Sequence, residues 1–474
     1  MWQLGPVKEE TVRDKWFVFF LVTAGVFLST LDSSMVNVAL PSIMRSFGVS
    51  LVQVQWVVLI YLLTITITLL FWGIAADYFG KQVVYCIGIG LFCLGSIGCF
   101  SSTSLGMLVG FRMIEGGGAA MMMASGPAII RDVFPKNMLG KALGLVGIAT
   151  SLGLMSGPVV SGFIISTFSW RMIFLVAIPF GVAILLLGIP LLLRSGIISP
   201  PSRTRVFDWW GAFLWAALVS GVILYAHQFP ELAIWPRIWW LTAILVLLVV
   251  FIMAEKSGRI NLLPLHLFSK KYYHIGLVTA VFSFATLFMV LIILPFYLDY
   301  IQQLPPRSIG LVMMSVPLTL FIVSPTAGLL FDRIGSKHLT TGGLLICLGA
   351  LFLLTQLTTQ SSIFDICWRL ALLGMGQSMF LAPNTASLLS RIEDADAPIT
   401  SGLLATARNL GMLSGAAFAG IVFAAWFGFF SGGLEFKHYT PEQSQAFLSA
   451  FRATLLCGAV FSFFAAAISW QRSR

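Results

Sequence analysis

Charge is scarce in this chain: 10% of its 474 residues are Asp, Glu, Lys or Arg, 58% are apolar, and mean hydropathy is +0.95. That composition excludes a water-soluble domain and makes the bilayer the solvent. Long polar segments are missing too. The longest stretches between apolar runs are about twenty residues, near 427–447 and 255–272, too short for a folded extramembrane domain. No Gly-x-x-x-x-Gly-Lys-Ser/Thr sequence occurs, which argues against an ATP-driven pump with its motor in this chain. The six cysteines (Cys86, Cys93, Cys99, Cys347, Cys367, Cys457) all fall inside apolar runs, so none is placed for an extracellular disulfide or a metal cluster. No metal or cofactor is expected. Behind Met1 to Lys15, the first apolar run lacks a small-residue cleavage site, and it is expected to be retained.

What is present is a series of apolar runs of about 20 residues, each long enough to span as a helix. Fourteen are expected. Six lie near 16–40, 51–74, 83–101, 105–129, 140–166 and 171–194, two near 209–227 and 237–254, and six near 273–298, 308–330, 338–357, 363–385, 399–426 and 448–470. The fold class is thus an all-α polytopic membrane protein. With the N-terminus placed inside, nineteen of the 28 Lys and Arg fall on inner segments, six on outer segments and three within spans (Arg112, Arg369, Arg408). This bias predicts both termini in the cytoplasm. The net charge of +10 is then a topology signal, not a sign of nucleic-acid binding, because the basic residues are scattered over short loops.

Three segments of the first half recur in the second. Gly73-Ile-Ala-Ala-Asp77-Tyr-Phe-Gly80-Lys81 returns 255 residues on as Gly328-Leu-Leu-Phe-Asp332-Arg333-Ile-Gly335-Ser336. Arg112, five residues before Gly117, returns as Arg369, five before Gly374. Gly153, Ser156, Gly157 and Gly162 return 258 residues on as Gly411, Ser414, Gly415 and Gly420. Matches in the same order imply two homologous halves, the plan of transporters that rock one half against the other. The expected division is residues 1–200 for the first six-helix bundle, 201–270 for two extra helices with their flanking loops, and 271–474 for the second bundle.

Gly73 and Gly80 bracket Asp77, with Lys81 behind. The glycines permit a tight turn and close helix approach, and the carboxylate can cap the next helix or pair with a base. This segment resembles the hallmark loop of the major facilitator superfamily, Gly-x-x-x-Asp-Arg-x-Gly-Arg-Lys. Tyr78 and Gln82 replace basic residues, while the second copy keeps Asp332, Arg333, Gly335 and Lys337. The resemblance implies the major facilitator fold, with two six-helix bundles around a central cavity. It also implies that Gly73, Asp77, Gly80, Lys81, Asp332, Arg333 and Gly335 latch the halves in the outward-facing state, the first copy being weaker or differently paired.

In span 1, Leu31-Asp32-Ser33-Ser34-Met-Val-Asn37-Val-Ala39-Leu40-Pro41 resembles the first-helix motif of drug/proton antiporters. An ionisable residue inside a span is costly and faces a cavity or a partner. At 1.5 Å per residue, Asp32 and Arg112 of span 4 fall at similar depth, so they are expected to pair. Glu115 stands three residues from Arg112 on the same helix face, within Arg112-Met-Ile-Glu115-Gly116-Gly117-Gly118, which is similar to the family's Arg-x-x-Gln-Gly. Two carboxylates sharing one arginine would differ in proton affinity. Asp32 or Glu115 is expected to carry the coupling proton and Arg112 to tune it; a fixed ion triad is the alternative. In span 5, Gly153, Gly157, Pro158 and Gly162 resemble the antiporter motif Gly-x-x-x-Gly-Pro-x-x-Gly-Gly. Proline removes a backbone hydrogen bond and bends the helix, and the second copy has Ala416 in its place; plain glycine packing is the alternative. Phe207-Asp208-Trp209 and Leu294-Pro295-Phe-Tyr297-Leu298 resemble the fourteen-helix branch, drug/proton antiporter family 2.

The resemblance implies a proton-coupled exporter of amphipathic small molecules in a cell membrane, bacterial inner membrane by family, working as a monomer with protons and substrate as its partners. Asn37, Met122, Arg408 and Asn409 are weaker candidates for the substrate cavity. An uptake symporter on the same scaffold, and a membrane sensor or membrane-embedded enzyme, remain alternatives.

Overall fold

The computed structural model describes residues 9–194, 208–228, 234–257, 265–393 and 396–472. The long helices are α1 (Glu9–Phe47), α2 (Trp56–Phe79), α3 (Lys81–Phe100), α4 (Leu105–Val133), α5 (Lys136–Thr167), α6 (Ala177–Arg194), α7 (Trp209–Gln228), α8 (Ile234–Ser257), α9 (Lys271–Phe296), α10 (Ser315–Ile334), α11 (Ser336–Leu354), α12 (Ile363–Leu389), α13 (Ala397–Phe430) and α14 (Ser444–Trp470). Among the described residues, twelve helical segments are long and apolar enough to cross a membrane. Helices α4 and α12, 29 and 27 residues long, are not among the twelve. Glycines with Arg112 and Glu115 dilute the apolar character of α4, and glycines, Asn384 and Gln377 that of α12.

Lipid is as apolar as leucine, so contact between these helices depends on close backbone approach through small residues. The same crossings are built twice. A Cβ added at Gly153 of α5 would stand 2.8 Å from the Phe27 carbonyl oxygen of α1, and one at Gly411 of α13 would press on the Val281 carbonyl of α9. Gly157 meets the Leu31 carbonyl as Gly415 meets that of Ala285. Gly118 of α4 abuts Gly88 of α3, as Gly376 of α12 abuts Gly343 of α11. Gly116 rests on the Tyr61 carbonyl of α2, and Gly374 on that of Val316 of α10.

These pairs refine the repeat register. The last two put α12 258 residues after α4, one more than the offset that aligned Arg369 with Arg112. By contact geometry the counterparts of Arg112 and Glu115 are Leu370 and Leu373, both fully buried.

The two halves meet most closely at the end remote from the start of α1 and the close of α14, here termed the far end. Gly162 of α5 lies 2.5 Å, from an added Cβ, from the Pro306 carbonyl oxygen, in the short helix Pro306–Met313 that leads into α10. Gly310 of that helix abuts the Pro158 carbonyl. The symmetric seam puts Gly420 of α13 against the side chain of Gln55, at the head of α2. An ion pair crosses here as well: Arg45 of α1 holds Asp299, carried on a π-helical turn, Tyr297–Ile301, that follows α9.

Helix α7 starts from Asp208, whose Oδ1 accepts from the Gly211 N–H at 2.8 Å. It lies against both α2 and α13, and Trp215 Nε1 donates to the Thr66 carbonyl of α2 at 3.2 Å. Helix α8 packs chiefly on α7 and leaves Trp235, Trp239 and Met253 exposed, as a lipid-facing helix would.

Candidate functional site

Asp32, Arg112 and Glu115 come together inside the first half, 1%, 1% and 0% exposed. Arg112 Nη1 donates to Asp32 Oδ2 at 2.5 Å and to Glu115 Oε2 at 2.8 Å. Its Nε donates to the Val57 carbonyl of α2 at 3.1 Å, and its guanidinium lies 4.1 Å from the centroid of the Tyr61 ring. That ring is itself held by its hydroxyl, which donates to the Ser29 carbonyl at 3.1 Å. Groups on three helices, α1, α2 and α4, therefore fix one guanidinium.

Small residues explain why these groups can meet. A Cβ at Gly95 of α3 would fall 2.6 Å from Glu115 Cβ, so the glycine lets α3 lie directly on α4 at the carboxylate. The next residue, Ser96, donates to Glu115 Oε1 at 2.6 Å, and Cys99 Sγ lies 3.6 Å from Oε2. Glu115 thus has partners on both oxygens. Asp32 does not: its Oδ1 is buried without a hydrogen-bond partner. With all three groups ionised the cluster carries one excess negative charge. Buried charges of this kind are stable only when paired and hydrogen-bonded, and Oδ1 is where that requirement is unmet.

Among the described residues, the second half has no equivalent cluster at the matching positions. Leu370 and Leu373 replace Arg112 and Glu115, and the α1/α9 register puts Thr286 opposite Asp32, its hydroxyl donating to the Gly458 carbonyl at 3.2 Å. Arg369 sits elsewhere, 3.8 Å from Asp365 and 5.4 Å from the Trp368 ring centroid.

The remaining sequence candidates divide. Gly80 and Gly335 take left-handed conformations, φ 97° and 82°, each turning one helix into the next with the geometry glycine permits. Lys81 pairs with Asp132 at 2.7 Å and Asp77 at 3.8 Å, both in the first half, so in this state these pairs do not join the halves. The close approach expected at Gly73 is absent, since a Cβ there would meet nothing within 4 Å; the helix surface is open at that point. Arg333 is exposed, and the side chain of Asp332 lies outside the described residues. Gly153, Gly157 and Gly162 make the backbone contacts given above, and Pro158 lies within α5.

Among the cavity candidates, Met122 is enclosed within the first half. It is 1% exposed and packs in the apolar core of the first half near Tyr85 and Gly25, because its place on α4 faces α1 and α3. Asn37 is buried, with Oδ1 unpartnered. Asn409 is buried and donates to the Ala405 carbonyl of its own helix at 3.0 Å. Arg408 donates to Thr385 Oγ1 of α12 at 2.7 Å. Sequence reasoning missed the Arg45–Asp299 pair and the Ser96 contact. Arg45 registered only as a loop charge at the end of a span, and a serine within an apolar helix carries no signal of its own.

A family model described as Major Facilitator Superfamily matches residues 22–300, 195–414 and 276–472. The chain is 32% identical over 413 residues to the riboflavin transporter RibZ of Clostridioides difficile (strain 630), covering 87% of this chain and 89% of that one. It is 29% identical over 407 residues to the multidrug resistance protein Stp of Mycobacterium tuberculosis (strain CDC 1551 / Oshkosh), covering 85% and 74%. Among solved structures, a bacterial homolog to the human lysosomal transporter Spinster, in an inward-facing and unoccupied conformation, superposes with a TM-score of 0.71 at 15% identity over 97% of each chain.

Proposed function

The chain belongs to the major facilitator superfamily, as a membrane transporter and not an enzyme, and from that premise we propose that it exports amphipathic small molecules in exchange for protons. The observation that carries this reading is the open valence at Asp32. One carboxylate oxygen holds Arg112, the other is buried and unpartnered, and a proton is the smallest group that would satisfy it. Glu115, partnered on both oxygens, is the second candidate carrier. Arg112 joins the two, so loss or gain of a proton at either carboxylate changes what holds α1 and α4 together. Coupling requires only that proton and substrate bias the same two-state element.

Several further points belong to this reading. Helices α4 and α12 cross the membrane with the other twelve segments, giving fourteen spans and a place in drug/proton antiporter family 2. Residues 1–200 and 271–474 form the two bundles and 201–270 the inserted pair. The Lys and Arg bias puts both termini in the cytoplasm of a bacterial inner membrane. The far end, where the halves touch, is then the outer side, and the conformation is closed to the outside. Alternating access opens the far-end seam and engages the Gly73–Lys81 latch. The protein functions as a monomer. The relative at 29% identity named as a multidrug resistance protein supports the export direction.

A second reading has one observation of its own: the relative at 32% identity is named a riboflavin transporter. On that reading the cargo is a flavin-like heteroaromatic. The deciding experiment adds riboflavin, ethidium and carboxyfluorescein in turn to the purified protein at low buffer strength and records proton release, for wild type, Asp32→Asn and Glu115→Gln. Release abolished by one substitution identifies the carrier and the exchange. Binding without release in the wild type would sink the antiport reading.

A further inference from the structure

Arg408 lies eleven residues into α13, half-buried. It donates one hydrogen bond, to Thr385 Oγ1, and its guanidinium carbon is 5.9 Å from the centroid of the Phe284 ring of α9. Its Nε is buried with no acceptor. No carboxylate among the described residues pairs with it, whereas Arg112, Lys81 and Arg45 each have one or two. The surroundings are apolar: Val281, Phe282, Leu381, Leu403, Leu404 and Ala407 belong to one cluster or pack on it.

The repeat indicates that the fold does not need this charge. The register of α13 makes Thr150 of α5 the counterpart, and its hydroxyl merely bonds the Val146 carbonyl of its own helix at 3.0 Å. An arginine within a span is costly, and an unpaired one is more so. A guanidinium that packing does not require, left without an anion between three helices of one half, is equipped to receive one. Its planar fork suits a carboxylate bidentately and the single oxygen of a phenolate through one or two N–H groups, and the neighbouring Phe284 face with aliphatic walls suits a flat ring.

Resting on the transport reading above, we propose that Arg408 is the recognition point for an acidic group on the cargo, so that the preferred substrates are aromatic amphiphiles bearing a carboxylate or phenolate and not lipophilic cations. Thr385 holds the guanidinium in place, and Phe284 and the aliphatic cluster take the ring. The division of labour between halves follows: the first holds an excess negative charge that exchanges protons, the second an excess positive charge that holds the cargo anion.

The test is equilibrium dialysis of the full-length purified protein with carboxyfluorescein, an aromatic acid, and ethidium, an aromatic cation, for wild type, Arg408→Gln and Arg408→Lys. The expected result is carboxyfluorescein binding in the wild type that weakens at least tenfold in Arg408→Gln and by a smaller factor in Arg408→Lys, which keeps the charge but loses the fork, with ethidium binding unchanged or tighter in Arg408→Gln. Wild-type preference for ethidium, or carboxyfluorescein binding within twofold of wild type in Arg408→Gln, overturns the proposal. Flux in proteoliposomes separates the two claims. If a pH gradient moves ethidium and not carboxyfluorescein, the anion site fails and transport stands. If carboxyfluorescein binds through Arg408 yet no dye moves, the site stands and the transport reading fails.

Discussion

Replacing Arg112 by methionine would leave Asp32 and Glu115, both at most 1% exposed, without their cation. Breaking a buried ion pair by removing one partner costs about 3–5 kcal/mol, because a charge is left uncompensated. Here two are left, and the lost hydrogen bond to the Val57 carbonyl adds about 1 kcal/mol. The loss is thus on the order of 4–6 kcal/mol, enough to move the melting temperature of the detergent-solubilised protein by many degrees. Neutralising the orphaned groups reverses the sign of the argument. The triple variant Arg112→Met, Asp32→Asn, Glu115→Gln buries no ion, and an amide left without a partner costs about 1–3 kcal/mol, less than an uncompensated charge. It should melt above Arg112→Met while being inactive in proton exchange. The assay is apparent melting temperature followed by size-exclusion recovery, read as an order of variants, since a protein of this size does not unfold in two states. A triple variant no more stable than Arg112→Met would refute the reasoning. It would mean that the arginine acts through its packing on Tyr61 and the Val57 bond, and that charge balance is not what the cluster maintains.

Gly88→Val should destabilise by about 1–3 kcal/mol through overpacking, because its Cβ would stand 2.8 Å from Met121 Cβ and 2.9 Å from the Gly118 carbonyl, whereas Gly90→Ala, with nothing within 4 Å, should not alter melting. At the far end, Arg45→Asp and Asp299→Arg should each raise alkylation of a cysteine introduced at Ile309, 2% exposed in the short helix at the seam, and the double reversal should restore protection. Arg45 is 49% exposed at its side chain, so screening limits the pair to about 1 kcal/mol or less, and the rise should be no more than about fivefold. Gly162→Leu should hold the far end open and raise the same labelling further, since its Cβ already conflicts with the Pro306 carbonyl; unchanged labelling would show that the seam is not the closure.

Hydropathy alone marks the twelve segments that are long and apolar enough to cross a membrane, because a span must match the bilayer thickness and so shows as a run of apolar residues. The repeat was legible for the same reason that it is structural: Gly153 and Gly411 or Gly80 and Gly335 occupy positions where any side chain would strain or collide. Rotation about each helix axis was not legible. Met122 reads like a cavity residue in sequence, yet it packs inward, because apolar residues are equally welcome facing lipid, core or cargo. Arg369 looks like the twin of Arg112, yet a one-residue change of register gives the buried positions to Leu370 and Leu373. The Asp32–Arg112 pair could be anticipated because ions in hydrocarbon must find each other, and depth alone leaves few partners. The Arg45–Asp299 pair could not, since both lie at helix ends where water would serve as well.

The two seams between the halves are not mechanically alike. At one, Gly162 and Gly310 bring bare backbone against bare backbone, with no side chain standing between to resist sliding. At the other, the Gln55 side chain, 1% exposed, is seated on Gly420 like a key in its slot. A rigid-body tilt of one half would therefore slip along the first seam and pivot on the second, giving a lopsided swing in place of a symmetric one. Spin labels placed in pairs across each seam would report it as a wide change of distance beside Gly162 and a narrow one beside Gly420.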